Sequence, residues 1–408
     1  MRLSNSIRIL KGAKRFALYN LEHSFVEPIS LLQANILQVL ASGKVAKYSS
    51  LGVSRNEFWS AIWSLKKLGA FRAGRPQKID IEFNTQETSF KLSRLKQAWI
   101  EVTNSCNLSC AHCYSESSPK VDRSDELSFE SWKIIIEKLA RQGVDLITII
   151  GGEPLVRQRL VKELIIYIKD NHPEIKVNIF SNLTLLPPNK EFISTLKKYN
   201  IRVGTSLYGI DESTHDAMTK RNGSWKKTTA NIDELTRSGI DVFAGYYRQL
   251  NCTLEKKQIV EFIESLGVFD YEISSPSQVG RGKDTEWKIL NLENTLPQRK
   301  YFGYSPPSKN IQVHNCYADR FSINQAGEVL PCIMTRNISY GNIINSNLED
   351  VIKSANYKKY STLSKDKIDG CKDCEFKYGC FDCRPDAQNG SGNILRKPDC
   401  GYSPYDEL

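Results

Sequence analysis

Three cysteines, Cys106, Cys110 and Cys113, fall within eight residues in the run TNSCNLSCAHCY, directly after an apolar stretch that reads as a strand. No other feature constrains the chain as tightly, because the end of that strand must present three thiols from one loop. Thiolates at this C-x3-C-x2-C spacing can hold three irons of a 4Fe–4S cluster and leave the fourth iron without a protein ligand. An iron with an open position can bind and reduce a second molecule. A zinc knuckle competes with this reading, but structural zinc sites more often pair C-x2-C units that lie far apart in sequence.

Around this loop apolar runs alternate with amphipathic stretches. Strands are expected at Trp99–Thr103, Leu146–Ile150, Lys176–Phe180, Val203–Leu207, Val242–Tyr246 and Tyr271–Ser274, with helices including Trp132–Leu139, Leu160–Ile168 and Lys256–Leu266 between them. The alternation predicts an α/β fold with a parallel sheet and right-handed crossovers, and places reactive groups at the carboxyl ends of the strands.

At 408 residues the chain is expected to form more than one domain. Residues 1–78 read as a small first domain. Strands at Arg15–Leu21 and Ser24–Ser30 flank a turn at Glu22–His23. A helix over Leu31–Leu40 and a second helix opened by a Ser54/Glu57 capping box and closed at Gly69 follow. This order of elements is winged-helix-like. Residues 79–95 read as a linker with a short strand at Ile79–Phe83, residues 96–300 as the α/β domain, and residues 301–408 as a region with seven of the eleven cysteines, organised by metals rather than by a large core.

The net charge of +10 is concentrated at the start: residues 1–80 hold 13 Lys and Arg against four acidic residues. A basic small domain on a nearly neutral larger one suggests an acidic partner, either nucleic acid or an acidic peptide. No apolar run is long enough to span a membrane, and the first residues lack the apolar core of a signal peptide. A cytoplasmic protein is expected, with cysteines as metal ligands or free thiols.

The cysteine loop resembles that of the radical S-adenosylmethionine (SAM) superfamily, in which the open iron chelates the methionine end of SAM. The resemblance implies a partial (β/α)6 barrel. It also implies that Gly151-Gly152-Glu153-Pro154, at the end of the second strand, holds the SAM amino group, two glycines permitting close approach and Glu153 accepting from the charged amine. Ser181 and Asn182 match residues that meet the ribose, Ser206 a further polar contact, and Gly280-Arg281 a segment near the SAM carboxylate or adenine. His112 is expected to pack beside the cluster. Glu212 and His215 are expected to be surface or capping groups, and Tyr246, Tyr247 and Arg248 to end a strand that faces the cavity.

Cys316, Gly327 and Cys332, followed by Cys371-x2-Cys374-x5-Cys380-x2-Cys383 and Cys400, resemble the SPASM extension of radical SAM enzymes. The last gap is two residues where the family usually shows three. Three Fe–S clusters are thus implied: the SAM-binding one, an auxiliary cluster on Cys371, Cys374, Cys380 and Cys400, and another on Cys316, Cys332 and Cys383. The fourth ligand of the last is open, with His314 a candidate. Cys252 lies outside these sets and is expected to be a small buried hydrophobe.

The first domain resembles the PqqD-like domain that holds the leader of a ribosomally made precursor peptide, where the leader adds as a strand to the sheet edge and packs on the last helix. Together the resemblances imply a peptide maturase, similar to triceptide-type and darobactin-type enzymes, that crosslinks side chains through a 5′-deoxyadenosyl radical and draws electrons from a donor such as flavodoxin or ferredoxin. Neither a nucleic-acid nor a membrane partner is expected. The alternatives are sulfatase-maturase-like oxidation of a protein Cys or Ser, and a redox-sensing DNA-binding protein.

Overall fold

A computed structural model describes residues 1–83, 95–187, 190–249, 252–284, 307–380, 383–396 and 402–406. The chain divides into two compact units. One comprises Met1–Lys91, Leu292–Asn315 and Thr362–Leu408, the other Leu92–Asn291 and Cys316–Ser361. Among the described residues no helix is long and apolar enough to cross a membrane.

The first unit begins with β1 (Arg2–Leu3), β2 (Ile7–Lys11), β3 (Phe16–Asn20) and β4 (Phe25–Ile29). Strands β2, β3 and β4 form an antiparallel meander. Helices α1 (Leu31–Ala41) and α2 (Arg55–Lys67) follow, and β5 (Phe71–Arg72) pairs with β1. Strand β2 escapes the sequence reading because Arg8 and Lys11 interrupt its apolar residues, although Ile7 and Ile9 are buried. Ser30 with Gln33 and Ser54 with Glu57 form capping boxes that satisfy the first N–H groups of the two helices. The stripe Phe58, Ile62 and Leu65 then packs on Ile7, Ile9, Leu18, Ile36 and Leu37. No strand forms at Ile79–Phe83. Instead Ile79 N–H donates to Ala41 O (2.9 Å) and Ile81 O accepts from Ile9 N–H (2.7 Å), single bonds that tether the segment without a ladder. The opposite face of β3 is also covered. Ala17 and Tyr19 form a second core with Val26, Phe376 and Tyr378.

The second unit is built on one sheet. Strands β6 (Gln97–Glu101), β7 (Leu146–Ile150), β8 (Lys176–Phe180), β9 (Arg202–Leu207), β10 (Val242–Tyr247) and β11 (Asp270–Ser274) lie parallel in chain order. Helices alternate with them: α3 (Phe129–Arg141), α4 (Gln158–Asn171), α5 (Lys190–Lys198), α6 (Glu212–Thr219), α7 (Ser224–Arg237) and α8 (Lys256–Ser265). In β7 the run LITII is buried almost throughout, as strands covered on both faces require. Helix α3 buries Trp132, Ile135, Ile136 and Leu139, each contributing about 1.5–3 kcal/mol. The α/β class expected from the alternation is the class found.

Two features depart from the sequence reading. Strand β6 starts and ends two residues earlier than expected, because beyond Glu101 the chain turns and Ser105 N–H donates to Thr103 Oγ1 (3.0 Å). The sheet also does not end at β6. Strand β12 (Arg320–Ile323) pairs parallel to it, followed by antiparallel β13 (Glu328–Leu330) and β14 (Gly341–Asn342). The Cys316–Cys332 region therefore owes its order to strand pairing as well as to any metal. Gly327 makes the turn between β12 and β13 at φ +81°, where a Cβ would lie 2.8 Å from Ile344.

Candidate active site

The carboxyl ends of β6 to β10 surround a cavity of about 300 Å³ in the second unit. Cys106, Cys110 and Cys113 line one side, and none is in a disulfide. Backbone bonds shape their loop. Cys106 N–H donates to Ser118 O (3.2 Å), Ser109 N–H to Thr219 O (3.3 Å) and Ala111 N–H to Met218 O (2.9 Å). The carbonyls of the loop are held by Arg281, whose Nε donates to Cys110 O and Nη2 to Ser117 O, both at 2.8 Å.

Burial pushes the Cys110 thiol up to about 12, with Cys113 adding to the effect and Arg281 opposing it; Cys106 moves in the same direction, again chiefly by burial. Such thiols give up their protons to a metal rather than to water. Leu108 N–H lies 3.3 Å and Asn182 Nδ2 3.7 Å from Cys106 Sγ, and Ser115 Oγ is 3.4 Å from Cys113 Sγ. Three thiols on one wall, with donors at two of the sulfurs, fit an iron–sulfur cluster held by three cysteines. Among the described residues no three Cys, His, Asp or Glu side chains form a site for a single metal ion.

Gly151, Gly152, Ser181, Asn182 and Ser206 line the same cavity. The glycines have a reason visible in the backbone. A Cβ on Gly152 would stand 2.5 Å from Ser105 O, and one on Gly151 2.5 Å from Thr103 O. Gly152 N–H donates to Thr103 O (2.8 Å) and Glu153 N–H to Ser105 O (2.9 Å), so the motif is pressed against the cysteine loop. Glu153 and Pro154 stand behind the wall rather than in it. The Glu153 carboxylate is wholly buried. It accepts from Leu155 N–H (2.9 Å), Ser181 Oγ (2.7 Å) and Asn182 N–H (2.7 Å). Burial nonetheless raises its pKa to about 7. Its visible work is to join the glycine turn to the Ser181–Asn182 segment. Arg281 likewise clamps the loop from outside the lining.

The cavity has an aromatic shelf that the sequence reading largely missed. Tyr208 packs against His112 (centroids 4.6 Å), stacks on Tyr247 (5.9 Å, 27°) and meets His215 edge-on (5.3 Å). Burial lowers both imidazoles to about 4, leaving them neutral near pH 7, and the Nδ1 of each is buried without a hydrogen-bond partner among the described residues. His215 is therefore not a surface group. It is 1% exposed and lines the cavity, while Glu212 beside it opens α6. Tyr247 reaches the cavity, whereas Tyr246 is turned into the core and Arg248 donates to Leu254 O (2.9 Å). The available signal was position, since Tyr208 and Tyr247 lie at strand ends.

Ile333 and Met334, which follow Cys332, complete the wall. Near them Arg336 pairs with the buried Glu101 (2.5 Å) and lies over the Tyr114 ring (5.7 Å). Cys316 belongs to the same unit as Cys332. In the other unit Cys371, Cys374 and Cys380 lie on successive turns, Cys374 N–H donating to Cys371 O (3.0 Å) and Cys380 N–H to Phe376 O (2.9 Å). Burial pushes Cys374 up to about 12, and Cys380 and Cys371 are near enough to add to it. Cys383 precedes a helix over Arg384–Ser391, and Cys400 lies outside the described residues. His314 is buried, and its pKa is depressed by burial and by Arg384, Lys365 and Lys309. Cys252 is half-buried rather than enclosed.

A thiol triad thus stands at the carboxyl edge of parallel strands, beside a glycine turn and polar strand ends. Residues 100–263 match the radical SAM superfamily and residues 316–375 the SPASM iron–sulfur cluster-binding domain, so the chain carries both domains. It is 29% identical over 332 residues to the antilisterial bacteriocin subtilosin biosynthesis protein AlbA of Bacillus subtilis (76% of this chain, 72% of the relative). It is 32% identical over 195 residues to the sporulation killing factor maturation protein SkfB of the same species (48% and 45%). The crystal structure of Streptococcus suis SuiB bound to its precursor peptide SuiA shares the fold, with a TM-score of 0.58 at 16% identity, covering 98% of this chain and 99% of that one.

Proposed function

We propose that the protein modifies a ribosomally made precursor peptide by oxidative side-chain crosslinking. The observation that carries this is the common cavity. Ile333 and Met334, which follow Cys332 of the SPASM domain, form part of the wall that also holds Cys106, Cys110 and Cys113. Joining two side chains with loss of two hydrogens releases two electrons in all, and an acceptor beside the substrate gives the second somewhere to go. The biosynthetic and maturation roles in the names of AlbA and SkfB support a peptide client.

Cys106, Cys110 and Cys113 would hold the SAM-binding cluster, and Gly151, Gly152, Ser181, Asn182 and Ser206 the SAM. When bound, these groups supply a 5′-deoxyadenosyl radical that takes hydrogen from an unactivated carbon. The chain's own part is positional. The stacked Tyr208–Tyr247 pair suits an adenine face, and the neutral imidazoles of His112 and His215 carry no charge to repel a sulfonium. The enclosing residues keep water from a reactive intermediate. Cys371, Cys374, Cys380 and Cys400 would hold one auxiliary cluster, and Cys316, Cys332 and Cys383 another.

Residues 1–78 would bind the leader. Helix α2 turns Phe58 and Ile62 inward but leaves Trp59 and Trp63 51% and 62% exposed, with Lys66 and Lys67 against Trp63. Exposed tryptophans among lysines suit an acidic peptide with apolar side chains. Strand β4 is an edge of its sheet and can accept an added strand. Co-expression at low oxygen with the short peptide encoded beside the gene, followed by mass spectrometry, tests the proposal. Loss of two hydrogens with fragmentation blocked between two residues is expected. An unmodified peptide, with SAM cleavage verified, would contradict it.

A further inference from the structure

Residues 1–83 and the Cys371–Cys380 loop are some 300 positions apart, yet share a core within the first unit. The contact is built from both backbones. A Cβ on Gly12 would lie 2.5 Å from Glu375 Oε2 and 2.8 Å from Glu375 N, and Ala13 N–H donates to Asp373 O (2.8 Å). The turn between β2 and β3 is thus seated directly on Asp373 and Glu375, the two neighbours of Cys374.

Tyr19, on β3, goes deeper. Its ring is fully buried and meets Phe83 edge-on (4.9 Å), which in turn meets Tyr378 (5.1 Å). Its hydroxyl donates to Glu375 O (2.8 Å) and accepts from Tyr378 N–H (3.3 Å). Those two backbone groups lie between Cys374 and Cys380. Glu375 is also fixed from its side-chain end, since Tyr402 donates to its carboxylate and Arg15 donates to Tyr402 Oη (2.7 Å). A loop of successive turns has no ladder of its own to fix it, so these bonds set the angle at which Cys374 and Cys380 are presented.

We infer that Tyr19 is a positioning residue for the iron–sulfur site of Cys371, Cys374 and Cys380, and that the amino-terminal sheet is a structural wall of that site. The inference rests on the proposed auxiliary cluster. It means that a peptide docking on β2–β4 would press on the same sheet that orients an electron acceptor. Hydrogen bonds and burial around ligating thiolates set cluster potentials, so a change at the Tyr19 hydroxyl should be read there.

The test uses the full-length chain, reconstituted anaerobically in a Cys106→Ala/Cys110→Ala/Cys113→Ala background so that only auxiliary clusters contribute signal. Tyr19→Phe keeps the ring and deletes the hydroxyl with its hydrogen bonds; it should retain the parent's iron and circular dichroism while shifting the midpoint potential or EPR line shape of one cluster. Tyr19→Ala should lose about four irons per chain, one cluster's worth. Parental iron, potential and EPR spectrum in both variants would overturn the positioning role. A parent that binds no iron beyond background would instead overturn the auxiliary-cluster assignment, and the inference with it.

Discussion

The two cysteine-rich loops are held in different ways. The loop of Cys106, Cys110 and Cys113 hangs from a parallel sheet. Its partners are strand-end glycines, the end of α6 and one arginine that grips two carbonyls. The loop of Cys371, Cys374 and Cys380 has no sheet of its own among the described residues and takes its shape from turns and from Tyr19, Gly12 and Ala13 of a distant segment. Strand ends hold a site rigidly with few side chains, whereas a turn-built site depends on whatever packs over it. The first loop should therefore tolerate damage to the amino-terminal segment, and the second should not.

The largest effect is expected at the first loop. Cys110→Ala should reduce 5′-deoxyadenosine formation to background, read by liquid chromatography; continued cleavage would remove these cysteines from the SAM site. Deleting residues 1–83 sharpens the comparison. Iron at the Cys371–Cys380 loop should fall away while the three-cysteine cluster and slow SAM cleavage persist, because the sheet and cavity of the second unit contain none of the deleted residues. Equal loss of both clusters would break the contrast.

What was legible follows the same division. The thiol triad, the glycine turn and the strand-end polar residues could be found because a parallel sheet converts sequence order into position. Tyr208 and His215 were missed as cavity residues because one aromatic and one imidazole near a helix start look like ordinary surface or core. The covering of Cys374 by Tyr19 was invisible, since nothing local to either residue encodes a contact across some 350 positions. Strand β12 was hidden likewise, its pairing with β6 depending on which edge the sheet leaves open.

Smaller effects test the first loop's scaffold. Gly152→Ala forces a methyl towards Ser105 O and should destabilise by about 1–3 kcal/mol, seen as a lower melting temperature and weaker SAM binding. Glu153 supplies a pH signature. Its pKa is raised in the folded protein to about 7 from an unfolded value near 4.5, so the folded state binds the extra proton between those values. Its contribution to stability is full below about pH 4.5 and is lost as pH rises through 7, by about 3 kcal/mol. Wild-type stability relative to Glu153→Gln should thus fall between pH 5 and pH 8. A constant difference would mean the carboxyl is ionised throughout. Smallest of all, Trp63→Ala should weaken precursor binding several-fold with little change in melting temperature, because that ring is largely in solvent.

The central claim is that one cavity joins SAM cleavage to an acceptor at Cys332. It is tested most directly by Cys332→Ala, reconstituted with SAM, reductant and precursor, measuring 5′-deoxyadenosine and modified peptide in the same reaction. Continued 5′-deoxyadenosine formation with the crosslinked peptide lost is the expected result. Wild-type yield of crosslinked peptide from the variant would contradict the claim.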